Sequence, residues 1–193
     1  LHRDVVNLAD IGLNGLVSCQ AQRTFLPHGL GMCLMGQALW DRTTDFDAFA
    51  DDFFRAAFGP DGKATRAYMA TLSALFDPPY LRGEKDSVSE ESAAKFDSIP
   101  DAIERFRPVI QRNLGCDDPN IAQAWRYLDI HADMAEQLAR ALALRARGQD
   151  AEARERWAAL SEFVQKREMD VQPVLDVFEY VAIIERLFPE PGA

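Results

Sequence analysis

The sequence predicts a mainly α fold, a bundle of about six helices with a short helix, strand and helix ahead of it. Three observations carry this. Phe46, Phe49, Ala50, Phe53, Phe54, Ala57 and Phe58 recur at the spacing of an amphipathic helix that faces a core. A second long pattern starts at Asp118, breaks at Gly148 and returns from Ala151 to Met169, as the two arms of a helical hairpin do. Only one short apolar run, Leu16 to Cys19, reads as a strand.

In chain order, Leu1 to Ala9 reads as the end of a helix, and Gly12 and Gly15 turn it into the strand Leu16 to Cys19. Gln20, Gln22 and Arg23 follow, and Pro27 then opens an uncharged helix as a first-turn proline. Gly29, Gly31 and Gly36 lower helix propensity there and permit close approach of a neighbouring element rather than mark a phosphate loop. This helix ends at Trp40 and Asp41. A carboxylate at a helix C-terminus opposes the dipole, so Asp41 calls for a partner: Arg42, a nearby backbone amide, or Arg23.

The Phe46–Phe58 helix is expected to start with a capping box of Thr44 and Asp47. At roughly 100° per residue, Asp45, Asp47, Asp51 and Asp52 fan out over its far side into solvent, not toward one another. Next, Ala64, Ala67, Tyr68, Leu72, Leu75 and Phe76 share a face of a further helix. Asp77 to Phe96 is polar and long for a connection, which suits a mobile loop or a lid. Ser98 and Pro100 start a helix ending near Gly115. Asp118 and Pro119 start the longest one, with Trp125, Leu128, Ala132, Ala135 and Leu142 among its inward residues. Pro173 begins the last helix.

With 193 residues the chain suffices for one domain with a sizeable core, or for one domain and a remnant of another. It begins at Leu1 rather than Met, as a processed chain or an excised fragment does, so a missing signal peptide says nothing of compartment. Lys and Arg total 21 against 31 Asp and Glu, a net charge of -10, which argues against nucleic acid or an anionic membrane as partner. Cys19, Cys33 and Cys116 are too far apart for a CxxC motif, so neither a disulfide framework nor a zinc site is expected. No nucleotide, phosphate-loop, zinc-protease or serine-hydrolase motif occurs, and no cofactor is called for. Asp129, Asp133 and Glu136 share a helix face, but His131 lies off it by the helical period, so this is read as an acidic face and not a metal site.

Two functional readings follow. In a barrel of alternating strands and helices, polar residues just past a strand's C-terminal end line the active-site mouth. That places Gln20, Arg23 and His28 as candidate substrate-binding residues, with the barrel's other strands in sequence outside this chain. The alternative is a protein-docking module. "ALALRARGQDAEARERWAAL" has small residues packing across a Gly turn in tetratricopeptide style, but a solenoid needs about three such repeats and one is present.

The order "GLNGLVSCQAQRTFLPHGLGMCLMGQALWD", then "DFFRAAFGPDGKATRAYM", resembles the C-terminal part of the bacterial domain-of-unknown-function 4838 family, some of whose members group with glycoside hydrolases. The carriers are the Gly-rich strand entry, Gln20 and Arg23, Pro27, the Trp40–Asp41 helix end, the "FFRAAFG" helix and the Tyr68-bearing helix. They span about Leu1 to Leu75. The resemblance implies a large periplasmic or secreted enzyme with a (β/α)8 barrel and a helical C-terminal domain. Residues 1–43 would be the last helix, strand and helix of that barrel, and residues 44–193 the helical domain. It implies action on β-linked N-acetylglucosamine in glycans, with catalytic carboxylates on earlier strands. No catalytic residue carries over to this chain, and alone it is expected to be inactive; its helical domain offers a surface for a homo-oligomer.

Overall fold

A computed structural model describes residues 1–17 and 23–189. The molecule is mainly α. It runs α1 (His2–Val6), a 3-10 turn Leu8–Ile11, α2 (Leu30–Trp40), α3 (Phe46–Phe58), a 3-10 turn Gly59–Asp61, and α4 (Gly62–Leu75). Then come α5 (Pro78–Leu81), α6 (Glu90–Asp97), α7 (Ile99–Asn113), α8 (Pro119–Ala146), α9 (Asp150–Lys166), α10 (Glu168–Val171) and α11 (Val177–Glu185).

The bundle is organised around α8. Its alanines at 122, 132, 135, 139, 143 and 146 are buried, and small side chains let α3, α6, α7 and α9 pack onto it from different sides. Trp125, Leu128 and Leu142 fill the spaces between and are fully buried. Asp118 starts this helix by accepting hydrogen bonds from the Asn120 and Ile121 amides, and Pro119 occupies the first turn, where a missing N–H costs nothing. Gly148, at a φ of 73°, makes the left-handed turn into α9, where Leu160 and Val164 return to the same core.

The α3–α4 corner is tighter. Phe54 and Phe58 point inward, Gly59 takes a φ of 64°, and Gly62 lies against the last turns of α3. A Cβ at Gly62 would stand 2.3 Å from the Phe54 carbonyl oxygen, so only glycine lets the two helices approach this closely. Asp47 and Asp51 of α3 do not diverge from each other: four residues apart, they lie on the same side of the helix and meet one arginine, while Asp45 caps it. Asp47 and Asp51 are taken up by Arg66 of α4 and Asp52 by Arg55, all near the surface.

Several expectations are corrected. The strand is not found among the described residues: Leu16 and Val17 have no regular structure and are 48% and 100% exposed, while Ser18 and Cys19 lie outside what is described. Two apolar residues with no sheet beside them have no partner for their backbone groups. Pro27 does not open α2, which starts at Leu30, and Thr44 is not the cap of α3; Asp45 is, accepting from the Ala48 amide at 2.8 Å. Pro173 stands in the turn before α11, which Asp176 caps.

The expected loop from Asp77 to Phe96 contains α5 and most of α6, and it is pinned at three points. Tyr80 and Phe96 are buried and pack edge to face at 5.3 Å. The Ser89 amide donates to the Ala146 carbonyl at 2.8 Å. Asp77, 3% exposed and at a positive φ of 48°, accepts from Ser92 Oγ and Lys85 Nζ, with Lys95 alongside. Burial alone would push the Asp77 carboxyl up, but those hydrogen bonds outweigh it and hold it below the ordinary carboxylate value.

Candidate functional site

Of the three residues placed at a site by the sequence, Gln20 lies outside the described residues. The other two sit on one short segment, residues 23–29, which is stitched to the C-terminal end of the bundle. Thr24 and Leu175 form an isolated antiparallel bridge, Phe25 and Leu26 amides donate to the Val174 carbonyl, and the Asp176 amide donates to the Arg23 carbonyl. Arg23 itself, at a φ of 51°, donates to Asp176 Oδ2 at 2.5 Å. Asp176 thus serves twice, capping α11 through the Glu179 amide and anchoring Arg23; these bonds hold its carboxyl below the ordinary value. The Arg23 guanidinium has a carboxylate partner 153 positions away in sequence, and that partner is Asp176, not Asp41.

Asp41 finds the backbone-amide partner instead. It accepts from the Thr43 hydroxyl at 2.6 Å and amide at 2.9 Å, which lowers its pKa, while Arg42 reaches Asp10 at 3.0 Å. His2 is likewise engaged, at 2.9 Å from the Thr44 carbonyl.

His28 turns inward, not toward a mouth. Its ring meets Phe54 edge to face at 5.0 Å and Phe53 at 6.3 Å, and its Nδ1 accepts a long hydrogen bond from the Leu30 amide. Burial lowers its pKa, since a charged imidazole loses its hydration there. Close enough to feel its charge is His131 of α8, whose Nδ1 is buried with no hydrogen-bond partner among the described residues. Burial, then the charge that His28 would carry, pushes His131 down to about 4. From His28 an aromatic row runs through the core by Phe54, Phe58, Trp125 and Phe106 to Tyr68, with successive centroids 5.0, 5.8, 5.1, 6.5 and 4.2 Å apart.

Asp129, Asp133 and Glu136 do share a face, and it is turned to Arg107 of α7. That guanidinium lies within 3.7 Å of all three carboxylates. Asp129 is shifted upward: burial and then the Asp133 charge raise its pKa, against the pull of Arg107, Arg167 and a hydrogen bond from Gln111. An arginine at the centre of three carboxylates occupies the place a metal would take, and among the described residues no group of His, Cys, Asp and Glu could hold one.

The arrangement can therefore brace an N-terminal segment against a bundle, and it leaves Arg23 and His28 already committed to protein partners. Sequence reasoning missed Asp176 and His131. Asp176 carries a legible signal, a cap residue directly before the apolar run Val177–Ile184. His131 follows Leu128 by three residues and precedes Ala135 by four, which puts it on the buried side of α8. Comparison with protein-family models, with curated proteins and with solved structures gives no match.

Proposed function

We propose that this chain is a helical support region of a larger carbohydrate-active enzyme, a glycoside hydrolase acting on β-linked N-acetylglucosamine glycans, and that it contributes a rim and a brace but no catalytic carboxylate. The observation that carries the support role is an uneven distribution of exposed apolar side chains. Among the described residues, eight of the thirteen exposed large hydrophobic ones, among them Ile11, Leu13, Leu16, Val17 and Trp40, fall in residues 1–40, although that segment is a small part of the chain. α2 has no charged residue, yet only Leu34 and Ala38 are buried. Exposed apolar side chains gathered in one stretch of the chain fit a segment that meets another domain. Residues 44–189 close on their own core, as a support requires.

The glycan class rests on the resemblance carried by Leu1 to Leu75, with the mouth residue of that reading reduced to Gln20. The α8–α9 hairpin favours this reading over a docking module, because Trp125, Leu128, Leu142, Leu160 and Val164 spend its apolar surface inside the bundle. The test is hydrolysis of chitin oligosaccharides and of p-nitrophenyl β-N-acetylglucosaminide by the intact gene product and by this chain alone. Turnover by the intact protein with none by the chain is expected. Turnover by the chain alone, or none by the intact protein on either substrate, would overturn it.

A further inference from the structure

α4 and α7 run antiparallel along their contact. Asp61 meets Arg112 and Asn113 at one end, and Tyr68 stacks on Phe106 midway at 4.2 Å with the rings 7° from parallel. On the outer side the two helices leave a cleft of about 390 Å³, walled by Ala64, Ala67 and Tyr68 on one side and Ala102, Phe106 and Val109 on the other. This falls in the size range of small-molecule sites, about 300–1,000 Å³, and its apolar walls with a few polar groups have the composition of one.

One polar group at the cleft lacks a partner. Arg105 lines the cleft and is exposed, and among the described residues no carboxylate pairs with it. Its neighbours are treated differently: Arg66, Arg107 and Arg112 all hold carboxylates. In a chain of net charge -10 with carboxylates in excess, a guanidinium left over an apolar cleft marks a place for an anion from outside. One guanidinium over apolar walls suits a singly charged headgroup on an apolar body.

We infer that the α4–α7 cleft binds a small amphipathic carboxylate, its apolar body along Ala64, Ala67, Ala102 and Val109 and its headgroup on the Arg105 fork. The test is titration of the methyl-labelled protein with octanoate, n-octanol and acetate, followed by NMR at the three alanine methyls. Octanoate should shift them saturably. Octanol should bind at least about tenfold more weakly, the ratio for 1.4 kcal/mol, and acetate should not bind. Arg105→Gln should bring octanoate down to the level of octanol, and Ala67→Trp, an exposed position, should block both while the melting temperature stays within a few degrees. Methyls that octanoate leaves unmoved, undiminished octanoate binding by Arg105→Gln, or octanol binding as tight as octanoate would each overturn the inference.

Discussion

Acidification from pH 7 to pH 4 should weaken the bundle through His131. Burial holds this imidazole at about 4 against an ordinary 6.5. At 1.36 kcal/mol per pH unit of separation, that amounts to about 3 kcal/mol. The sign follows from proton uptake. An unfolded chain takes its proton near pH 6.5 and the folded one only near 4, so between those values the unfolded state binds more protons. The stabilisation is complete above about pH 6.5 and drains away as the pH falls toward 4. His28, lowered by the same burial, acts in the same direction. Carboxylates held low, Asp77 for one, lose their contribution further down, so a raw acid transition would mix the two. Urea unfolding of wild type and of His131→Leu at pH 7, 6, 5 and 4 separates them. The loss in stability between pH 7 and 4 should be smaller in His131→Leu by about 3 kcal/mol. Parallel stability profiles for the two proteins would show that His131 is not held neutral by its surroundings.

Three further outcomes are expected. Arg23→Ala and Asp176→Ala should each lower stability, and the double variant should show a coupling of about 1 kcal/mol by the thermodynamic cycle; additive losses would mean that the pair seen here does no work in solution. Gly62→Ala gains about 1 kcal/mol of helix propensity, but its Cβ meets backbone at 2.3 Å, so a net loss of about 1–3 kcal/mol is expected from overpacking in thermal unfolding; a stabilised variant would contradict the close α3–α4 approach. Asp77→Asn removes the charge between Lys85 and Lys95 and should cost about 2–3 kcal/mol, with amide exchange rising across α5 and α6; unchanged exchange there would mean that Asp77 does not pin the segment.

The parts of the fold that were legible are those whose signal is local. α3, α7, α8 and α9 each carry a full apolar stripe, and Asp118, Gly148 and the stretch from Ser98 to Pro100 mark their ends within a residue or two. α6 was hidden because its apolar side is only Ala93, Ala94 and Phe96 within a polar, serine- and glutamate-rich run; tertiary contact with α8 makes it a helix. Leu16 and Val17 have strand-like composition, but β structure depends on a neighbouring strand that composition cannot supply. At the candidate site, Arg23 and Asp176 are 153 positions apart, so no window of sequence contains their pairing. The inward turn of His28 has the same origin, since its partners are Phe53, Phe54 and His131 on α3 and α8. The meeting of Asp47 and Asp51 on Arg66 was hidden because that arginine belongs to α4, although the four-residue spacing already put both carboxylates on one face.

The claim that residues 1–40 present a face to another domain is tested most directly by placing a charge on that face. Val17 and Trp40 are 100% and 89% exposed, so Val17→Asp and Trp40→Asp should leave the melting of the isolated chain nearly unchanged, within about 0.5 kcal/mol as surface substitutions do. In the intact protein the same changes would bury an unpaired carboxylate in an interface, at a cost of at least about 2 kcal/mol. Calorimetry of both proteins, each with and without the substitutions, reads the difference. A loss confined to the intact protein is the predicted result, and equal, negligible effects in both would contradict the account.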